Sequence, residues 1–127
     1  MKPSVMLTGT SLLSILLLSL HIAEDIVLGF APGGLTNLIG IAILVVYLCG
    51  TLLLSDRRSG LIIVLLGSIV AAGMPVIHMR GAHYPEIARS AGGFFFVWTL
   101  WALGGLGGLT VVLAARGLWS LRRGQPK

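Results

Sequence analysis

Residues 11–20 read SLLSILLLSL, and this stretch decides the class to which the protein belongs. It lies within a longer apolar segment, from about residue 6 to residue 30, which His21, Glu24 and Asp25 interrupt. Because an α-helix rises 1.5 Å per residue, roughly 20 apolar residues cross the hydrocarbon core of a bilayer. The segment is therefore predicted to be a transmembrane helix.

The composition of the whole chain indicates the same class. Its 127 residues are 56% apolar and 10% charged, whereas an average soluble domain has about 25% charged residues. This chain is too apolar for a disordered segment and has too few polar residues to cover a soluble globule. Since the length allows one domain, we predict a single-domain integral membrane protein.

Three further apolar segments are long enough to cross a bilayer. Breaks at residues 31–34 (APGG) and 55–60 (SDRRSG) and a mixed polar loop at 80–90 separate them, and short connections favour antiparallel neighbours. The predicted fold is an all-α, up-down antiparallel bundle of four transmembrane helices that forms one membrane domain, residues 1–127. The predicted helices are about 6–30, 35–54, 61–79 and 92–115, followed by a basic cytoplasmic tail at 116–127.

The basic residues predict the orientation of the chain. Two of them, Arg80 and Arg89, fall on the face opposite both termini. The other seven fall on the face with the termini: Lys2, Arg57, Arg58, Arg116, Arg122, Arg123 and Lys127. The positive-inside rule then predicts an inner-membrane protein with both termini in the cytoplasm. The net charge of +5 is thereby explained by topology, without a nucleic-acid partner.

A cleaved signal peptide is an alternative for the first segment, with Lys2 as its charged region and residues 11–20 as its apolar core. Cleavage after Ala23, however, would place His21 at a position that requires a small residue. The apolar run also resumes at residue 26. We therefore expect the helix to be retained.

The remaining ionisable residues gather near the predicted outer face. His21, Glu24 and Asp25 have i, i+3, i+4 spacing, which places them on one helix face. At 1.5 Å per residue, Glu24 lies about 9 Å and His78 about 12 Å above the middle of their helices. Charged groups at such depths turn inward and find partners. The candidate cluster is His21, Glu24, Asp25, His78, Arg80 and His83.

Several interpretations of this cluster remain open. In a structural network, Glu24 or Asp25 pairs with Arg80 and fixes the first helix to the third. Alternatively, imidazoles and carboxylates bind a divalent metal ion, or His21 and His78 hold a haem from two sides. A relay of protons or ions through the acids is a further alternative. The candidate metal ligands are His21, Glu24, His78 and His83.

Small residues predict where helices approach one another. Gly104 and Gly108 form a GxxxG pair, and Gly67 with Ala71 forms a second small-xxx-small pair. Such pairs let helix backbones come close. We expect them to pack the third and fourth predicted helices together, with a dimer or a partner subunit as the alternative.

The loop before the last predicted helix allows two arrangements. Pro85 suits the first turn of a helix, so the last helix either begins there or follows a short interfacial helix. Residues 91–93 (AGG) are the weak point between them.

No sequence motif indicates a specific reaction. The single cysteine, Cys49, excludes an internal disulfide and a CxxC pair, and no phosphate-binding loop or nucleophile elbow is present. We expect a non-enzymatic accessory or interaction protein, with the bilayer and a membrane protein or second copy as partners. The alternatives are a metal- or haem-binding membrane protein and a small oligomeric ion or solute transporter.

Overall fold

The computed structural model describes residues 3–29, 33–81 and 84–124, and within these ranges all regular structure is helical. Four long helices and one short helix follow one another along the chain. They are α1 (Pro3–Val27), α2 (Leu35–Leu52), α3 (Arg58–Met79), α4 (Tyr84–Arg89) and α5 (Gly93–Arg122). The prediction of an all-α chain is confirmed for these residues.

Three of the long helices have the length and hydropathy needed to cross a membrane: Ser4–Val27, Arg58–Met79 and Gly93–Arg122. The apolar part of α2, Asn37–Leu52, is shorter. Large apolar side chains lie exposed along these helices, such as Leu16 in α1 and Ile69 in α3. Exposed apolar surface on this scale fits a lipid environment better than water.

Consecutive long helices run in opposite directions. In the α2–α3 pair, Gly50 lies against Ile63 and Tyr47 lies against Gly67, so one helix ascends as the other descends. The helices α1 and α3 both pack against α2 and α5. Along α5, Thr99 contacts Glu24 and Ala114 lies near Leu7, so α1 is antiparallel to α5. Gly104 faces Pro75 and Gly117 faces Leu61, so α3 is antiparallel to α5 as well. The helices α1 and α3 therefore run parallel, and their last turns meet at the same end.

The two ends of the molecule hold different kinds of residues. The basic end holds the start of α1, the turn at residues 53–57 and the end of α5, where Leu7 packs near Ala114. The histidine end holds the last turns of α1 and α3, together with α4 and the start of α5, where His21 contacts Phe96. The polar cluster that the sequence predicts lies at the histidine end.

An apolar layer separates these ends in the middle of the molecule. Its buried side chains are Leu17, Leu18, Ala71 and Leu103, which come from α1, α3 and α5. Leu44 of α2 packs against them, so each long helix contributes to the layer. The apolar layer thus consists of Leu17, Leu18, Leu44, Ala71 and Leu103.

The close contact between α3 and α5 differs in register from the GxxxG prediction. A Cβ at Gly104 would lie 2.5 Å from Cγ of Pro75, and one at Gly107 would lie 2.9 Å from the carbonyl carbon of Ala71. Gly108 has open space at the same position. The close contact therefore involves Gly104 and Gly107 rather than Gly104 and Gly108, because the facing stripe of α5 continues at i+3.

Gly67 serves a different contact from the one predicted. A Cβ there would lie 2.7 Å from the ring of Tyr47, so this glycine admits an aromatic side chain of α2. The contact between α3 and α5 does not depend on it.

The second half of the chain resolves two questions about helix ends. A separate helix, α4, precedes a break at residues 90–92, so the short-helix alternative describes the loop. At the other end, α5 continues to Arg122 through part of the segment predicted as a tail. Gly117 permits this continuation, because it packs against Leu61 of α3. The chain turns at Gly124, which has a positive φ of 64°.

Candidate metal site

The histidine end brings α1 and α3 together through three ionisable side chains. His21 and Asp25 lie one turn apart on α1, and His78 lies in the last turn of α3. The i, i+4 spacing places the two α1 residues on one face. Since α1 and α3 run parallel, that face meets the end of α3.

The three side chains converge on one small volume. Nε2 of His21 lies 3.2 Å from Nε2 of His78. Oδ2 of Asp25 lies 3.4 Å from Nε2 of His78 and 3.9 Å from Nε2 of His21. Two imidazole nitrogens and one carboxylate oxygen thus form a nearly regular triangle, and all three could bind one cation.

The size of this triangle suits a first-row transition-metal ion. A point equidistant from three atoms with these separations lies about 2 Å from each, and zinc–nitrogen and zinc–oxygen bonds are about 2.0–2.2 Å long. An ion placed slightly out of the plane would therefore have ordinary bonds to all three ligands. It would also have an open coordination position.

A backbone contact orients the ring of His78. Its Nδ1 lies 3.1 Å from the carbonyl oxygen of Met74, and a carbonyl only accepts hydrogen bonds. Nδ1 therefore carries the proton, which leaves the Nε2 lone pair of the neutral ring directed at the centre of the triangle. Histidines that bind metals are commonly oriented by such a contact.

Buried polar atoms at the site lack partners. His21 is 1% exposed, yet its Nδ1 has no hydrogen-bond partner. Oδ1 of Asp25 is also buried and unpartnered. Such atoms are costly in a closed protein network, because each loses its contact with water. The arrangement is thus incompletely satisfied by the chain's own groups.

Glu24 lies behind His21 rather than in the triangle. Its Oε2 is 3.8 Å from Nδ1 of His21, longer than a hydrogen bond. It lies 2.9 Å from the hydroxyl of Thr99, whose one proton is shared between Glu24 and the carbonyl of Phe96 at the same distance. Thr99 is fully buried in α5 and was not identified from the sequence, since a lone threonine in an apolar helix carries no recognisable signal. Through it, a third helix holds the acidic group beside His21.

An aromatic wall closes one side of the site. Phe96 is fully buried, and its ring centre lies 4.9 Å from that of His21 and 6.0 Å from that of His78. This wall shields His21 from water, whereas the side chains of His78 and Asp25 stay 23% and 20% exposed. Exclusion of water strengthens electrostatic attraction on the His21 side of the site.

Two further members of the predicted cluster are not part of this arrangement. Arg80 is exposed, and among the described side chains no ion pair joins it to Glu24 or Asp25. The predicted pairing is wrong because Arg80 follows the last turn of α3, where its long side chain reaches solvent. His83 lies outside the described residues.

The geometry also disagrees with a haem between His21 and His78. Axial histidines lie on opposite sides of the iron, so their ligating nitrogens are about 4 Å apart with the porphyrin between them. Here the two nitrogens are 3.2 Å apart and the rings meet edge to face, at 76°. This arrangement leaves no room for the macrocycle.

No family model matches the chain, and neither the curated proteins nor the solved structures contain a match.

Proposed function

We propose that the chain is a small multi-pass membrane protein that binds a divalent transition-metal ion, Zn²⁺ in the first instance, through His21, Asp25 and His78. The observation that carries this proposal is the triangle of two imidazole nitrogens and one carboxylate oxygen. Its dimensions suit metal bonds of about 2 Å, and each ligand comes from a helix rather than from a loop.

The orientation of the lone pairs favours a cation over a purely structural network. Because Nδ1 of His78 donates to Met74, neutral His78 presents a lone pair to the centre. Asp25 presents a second acceptor at 3.4 Å. A proton on Nε2 of one histidine satisfies either the contact between the two rings or the contact of His78 with Asp25. A metal ion at the centre would satisfy all three atoms at once.

Glu24 supports the proposed site without binding the ion. A histidine that binds a metal through one nitrogen usually donates the other N–H to a carboxylate or carbonyl group. A movement of about 1 Å would bring Glu24 within hydrogen-bond distance of His21 Nδ1. Glu24 would then accept a hydrogen bond from Nδ1 of His21 and orient that ring, as the carbonyl of Met74 orients the ring of His78.

The ligand set also suggests which ions fit. Two histidines with one carboxylate and an open position occur in zinc sites and in non-haem iron(II) sites. We propose binding rather than catalysis, with the open position taken by water. Magnesium and calcium fit poorly, since both prefer ligands that are all oxygen.

The proposed setting is an inner membrane that four helices cross. At 1.5 Å per residue the 18 residues of α2 extend about 27 Å, close to the hydrocarbon thickness of about 30 Å. The bias of seven basic residues to two supports cytoplasmic termini, so the metal site would face the outer side. Reporter fusions after residues 57 and 80 would test this, with the inner-side reporter active at the first position alone.

Metal binding is tested on the full-length protein in mild detergent. We expect one Zn²⁺ per chain by elemental analysis after dialysis, and a visible absorption band when Co²⁺ replaces Zn²⁺. His78→Gln and Asp25→Asn remove one ligand each and should weaken binding by about 100-fold or more. Glu86→Gln, an acid-to-amide change in α4, is the matched control and should bind as the unaltered protein does.

Two results would contradict the proposal. One is the absence of stoichiometric metal from a folded, helical preparation. The other is an equal affinity of the Asp25→Asn and Glu86→Gln proteins for Zn²⁺. Either would leave the cluster as a structural network that fixes α1 to α3, in keeping with an accessory or interaction protein.

A further inference from the structure

A second polar region lies between the apolar layer and the basic end. It consists of four hydroxyl groups, and we call it the hydroxyl cluster: Ser11 and Ser14 of α1, Tyr47 of α2 and Ser68 of α3. The hydroxyl of Tyr47 lies close to those of the three serines. All four side chains are buried, none with more than 1% of its surface exposed.

The hydroxyl cluster is unusual in how few of its hydrogen bonds are made. Other hydroxyls in these helices donate to a carbonyl of their own helix, as Thr51 does to Tyr47 and Thr110 to Leu106. The hydroxyls of Ser11, Ser14 and Tyr47 are buried without a hydrogen-bond partner. Each such group is destabilising if it stays dry. The hydroxyls lie close enough to bond in part with one another around Tyr47, and water would complete their hydrogen bonds.

A cavity connects the hydroxyl cluster with the basic end. Its volume is about 480 Å³, and it lies between the start of α1, the end of α2 and the start of α3. Its polar lining comprises Ser4, Thr8, Ser11, Thr51, Ser55 and Asp56. Because Ser11 belongs to both features, the cavity reaches the cluster, and water within it can supply the missing partners.

The cavity, the hydroxyl cluster and the metal site share one face of α1. The polar positions at 4, 8, 11, 14, 21 and 25 are separated by three, four or seven residues, which keeps them on one helical stripe. Leu18 interrupts the stripe and belongs to the apolar layer. Seven residues separate Ser14 from His21, a rise of about 10 Å. One apolar layer thus divides two polar regions on a common line.

We infer that this line is a path for the metal ion, and that the protein conducts a divalent transition-metal ion between the two sides of the membrane. The inference rests on the proposed metal site, which forms the outer half of the path. The cavity and the hydroxyl cluster form the inner half. In the described conformation the apolar layer closes the path between them.

The chemistry of the two halves suits release after binding. Imidazoles and a carboxylate hold a transition-metal ion tightly, whereas neutral hydroxyl oxygens and water hold it weakly. Conduction requires sites that an ion can both enter and leave. Asp56, the charged side chain among the described lining residues, lies at the cavity and favours a cation there.

The helix packing offers a place for the apolar layer to open. Pro75 has no N–H to donate to the carbonyl of Ala71, one turn earlier and within the layer. On α5, Gly104 and Gly107 pack against Pro75 and Ala71 without side chains of their own. A change in the bend of α3 at Pro75 would separate the layer, and the lack of side chains at Gly104 and Gly107 would let α3 slide along α5.

Water access to the inner half is tested with single cysteines. In a Cys49→Ala background, Ser11→Cys and Ser14→Cys should react with a membrane-impermeant thiosulfonate reagent applied to the basic end of the protein in vesicles. Leu16→Cys is the control, because its side chain is 54% exposed on the outer surface of α1 and would face lipid. Equal reactivity of all three positions, or none at Ser11 and Ser14, would overturn the hydrated cavity.

Ion movement is tested in liposomes of the full-length protein with a Zn²⁺-sensitive dye inside and an ionophore that removes the membrane potential. We expect Zn²⁺ entry above that of protein-free liposomes. Ser14→Ala and Tyr47→Phe should lower the initial rate by about tenfold, because each removes an oxygen from the path. Ser19→Ala is the matched control, since that hydroxyl donates to its own helix at Leu16, and should change the rate by less than about twofold.

The results separate the path from the metal site. Stoichiometric Zn²⁺ binding without entry above background would overturn the path and leave the proposed function intact. Absence of binding would overturn the proposed function, and the cysteine reactions would still decide whether the cavity holds water. Equal rates for the Ser14→Ala and Ser19→Ala proteins would show that the hydroxyl cluster has no part in conduction.

Discussion

The two halves of α1 present polar side chains on the same face, but they offer different chemistry. Toward the histidine end, the face carries His21 and Asp25, which meet a histidine of α3. Toward the basic end it carries Ser11 and Ser14, which meet the hydroxyl of Tyr47. The first region offers strong metal ligands in a partly exposed site, and the second offers buried neutral oxygens beside a cavity.

This difference depends on the partner helices more than on α1 itself. At the histidine end, Phe96 and Thr99 of α5 close the site and hold Glu24 in place. At the basic end, the space between α1 and the α2–α3 turn stays open. The polar stripe on α1, interrupted at Leu18, is thus divided into a binding region and a hydrated region by the helices that pack against it.

The largest effect that distinguishes the two regions is stabilisation by metal. A ligand that binds the folded state stabilises it by about 2.7 kcal/mol at 100 times its dissociation constant. We therefore expect Zn²⁺ to raise the melting temperature of the unaltered protein, measured by circular dichroism in detergent. Asp25→Asn should abolish the rise, and Ser11→Ala should preserve it.

An equal rise in melting temperature for the Asp25→Asn and unaltered proteins on adding Zn²⁺ would contradict metal binding at the histidine end. The ion would then bind elsewhere, and the two regions of α1 would not differ in the way their side chains indicate.

Local helical geometry was sufficient to predict part of this arrangement. The spacing of His21, Glu24 and Asp25 determines that they share a face, because the helical repeat is a local property. The depths of Glu24 and His78 were estimated from helix length alone. Hydropathy likewise predicted helices close to those observed. The last helix ends later than predicted, at Arg122, because Gly117 packs against Leu61 and lets α5 continue.

Side-chain directions and helix rotation could not be obtained in this way. One of the open interpretations paired Arg80 with Glu24 or Asp25, but its position beyond the last turn of α3 lets it reach solvent. The contribution of Thr99 depends on the rotation of α5, which the nearly uniform apolar sequence of that helix does not fix. The same ambiguity explains why the close contact falls at Gly107 and not at Gly108.

The next effect concerns the apolar layer that separates the two regions. Gly107→Ala forces a Cβ against the backbone of α3, 2.5 Å from the nitrogen of Ala72. Overpacking of this kind costs about 1–3 kcal/mol, so the melting temperature should fall. Gly108→Ala adds the same methyl group one residue later into open space and should be neutral or stabilising by up to about 1 kcal/mol.

These two variants also test which side chains form the apolar layer between the two polar regions. If Gly108→Ala proved the more damaging substitution, the register of α5 against α3 would be wrong. The apolar layer would then be made of other side chains, and the separation between the two polar regions would need a different explanation.

A smaller effect is expected from the group that supports His21. Thr99→Val keeps the shape of the side chain but removes the hydroxyl whose proton is shared between Glu24 and the carbonyl of Phe96. Groups that orient metal ligands contribute about 10–100-fold in affinity, and we expect the lower value because Glu24 itself remains. Competition with a calibrated Zn²⁺ chelator measures the change. The matched change at the other end, Thr110→Val, removes a hydroxyl that donates to its own helix and should leave the affinity unaltered.

The smallest expected effect decides whether the region near the basic end is hydrated. Ser14 is fully buried, and its hydroxyl makes no well-formed hydrogen bond although that of Tyr47 lies near it. If the cluster is dry, Ser14→Ala removes an unsatisfied group and stabilises the protein. If water enters from the cavity, the same change removes a hydrogen bond worth about 0.5–1.5 kcal/mol.

We expect Ser14→Ala to lower the free energy of unfolding by about 1 kcal/mol or less, because the cavity reaches Ser11, one turn from Ser14. The free energy of unfolding in a denaturant series measures the change, and Ser19→Ala supplies the reference for losing a hydroxyl that donates within its own helix. A gain in stability from Ser14→Ala would mean that the hydroxyl cluster is dry. The two regions of α1 would then both be closed, and the contrast between them would reduce to ligand strength alone.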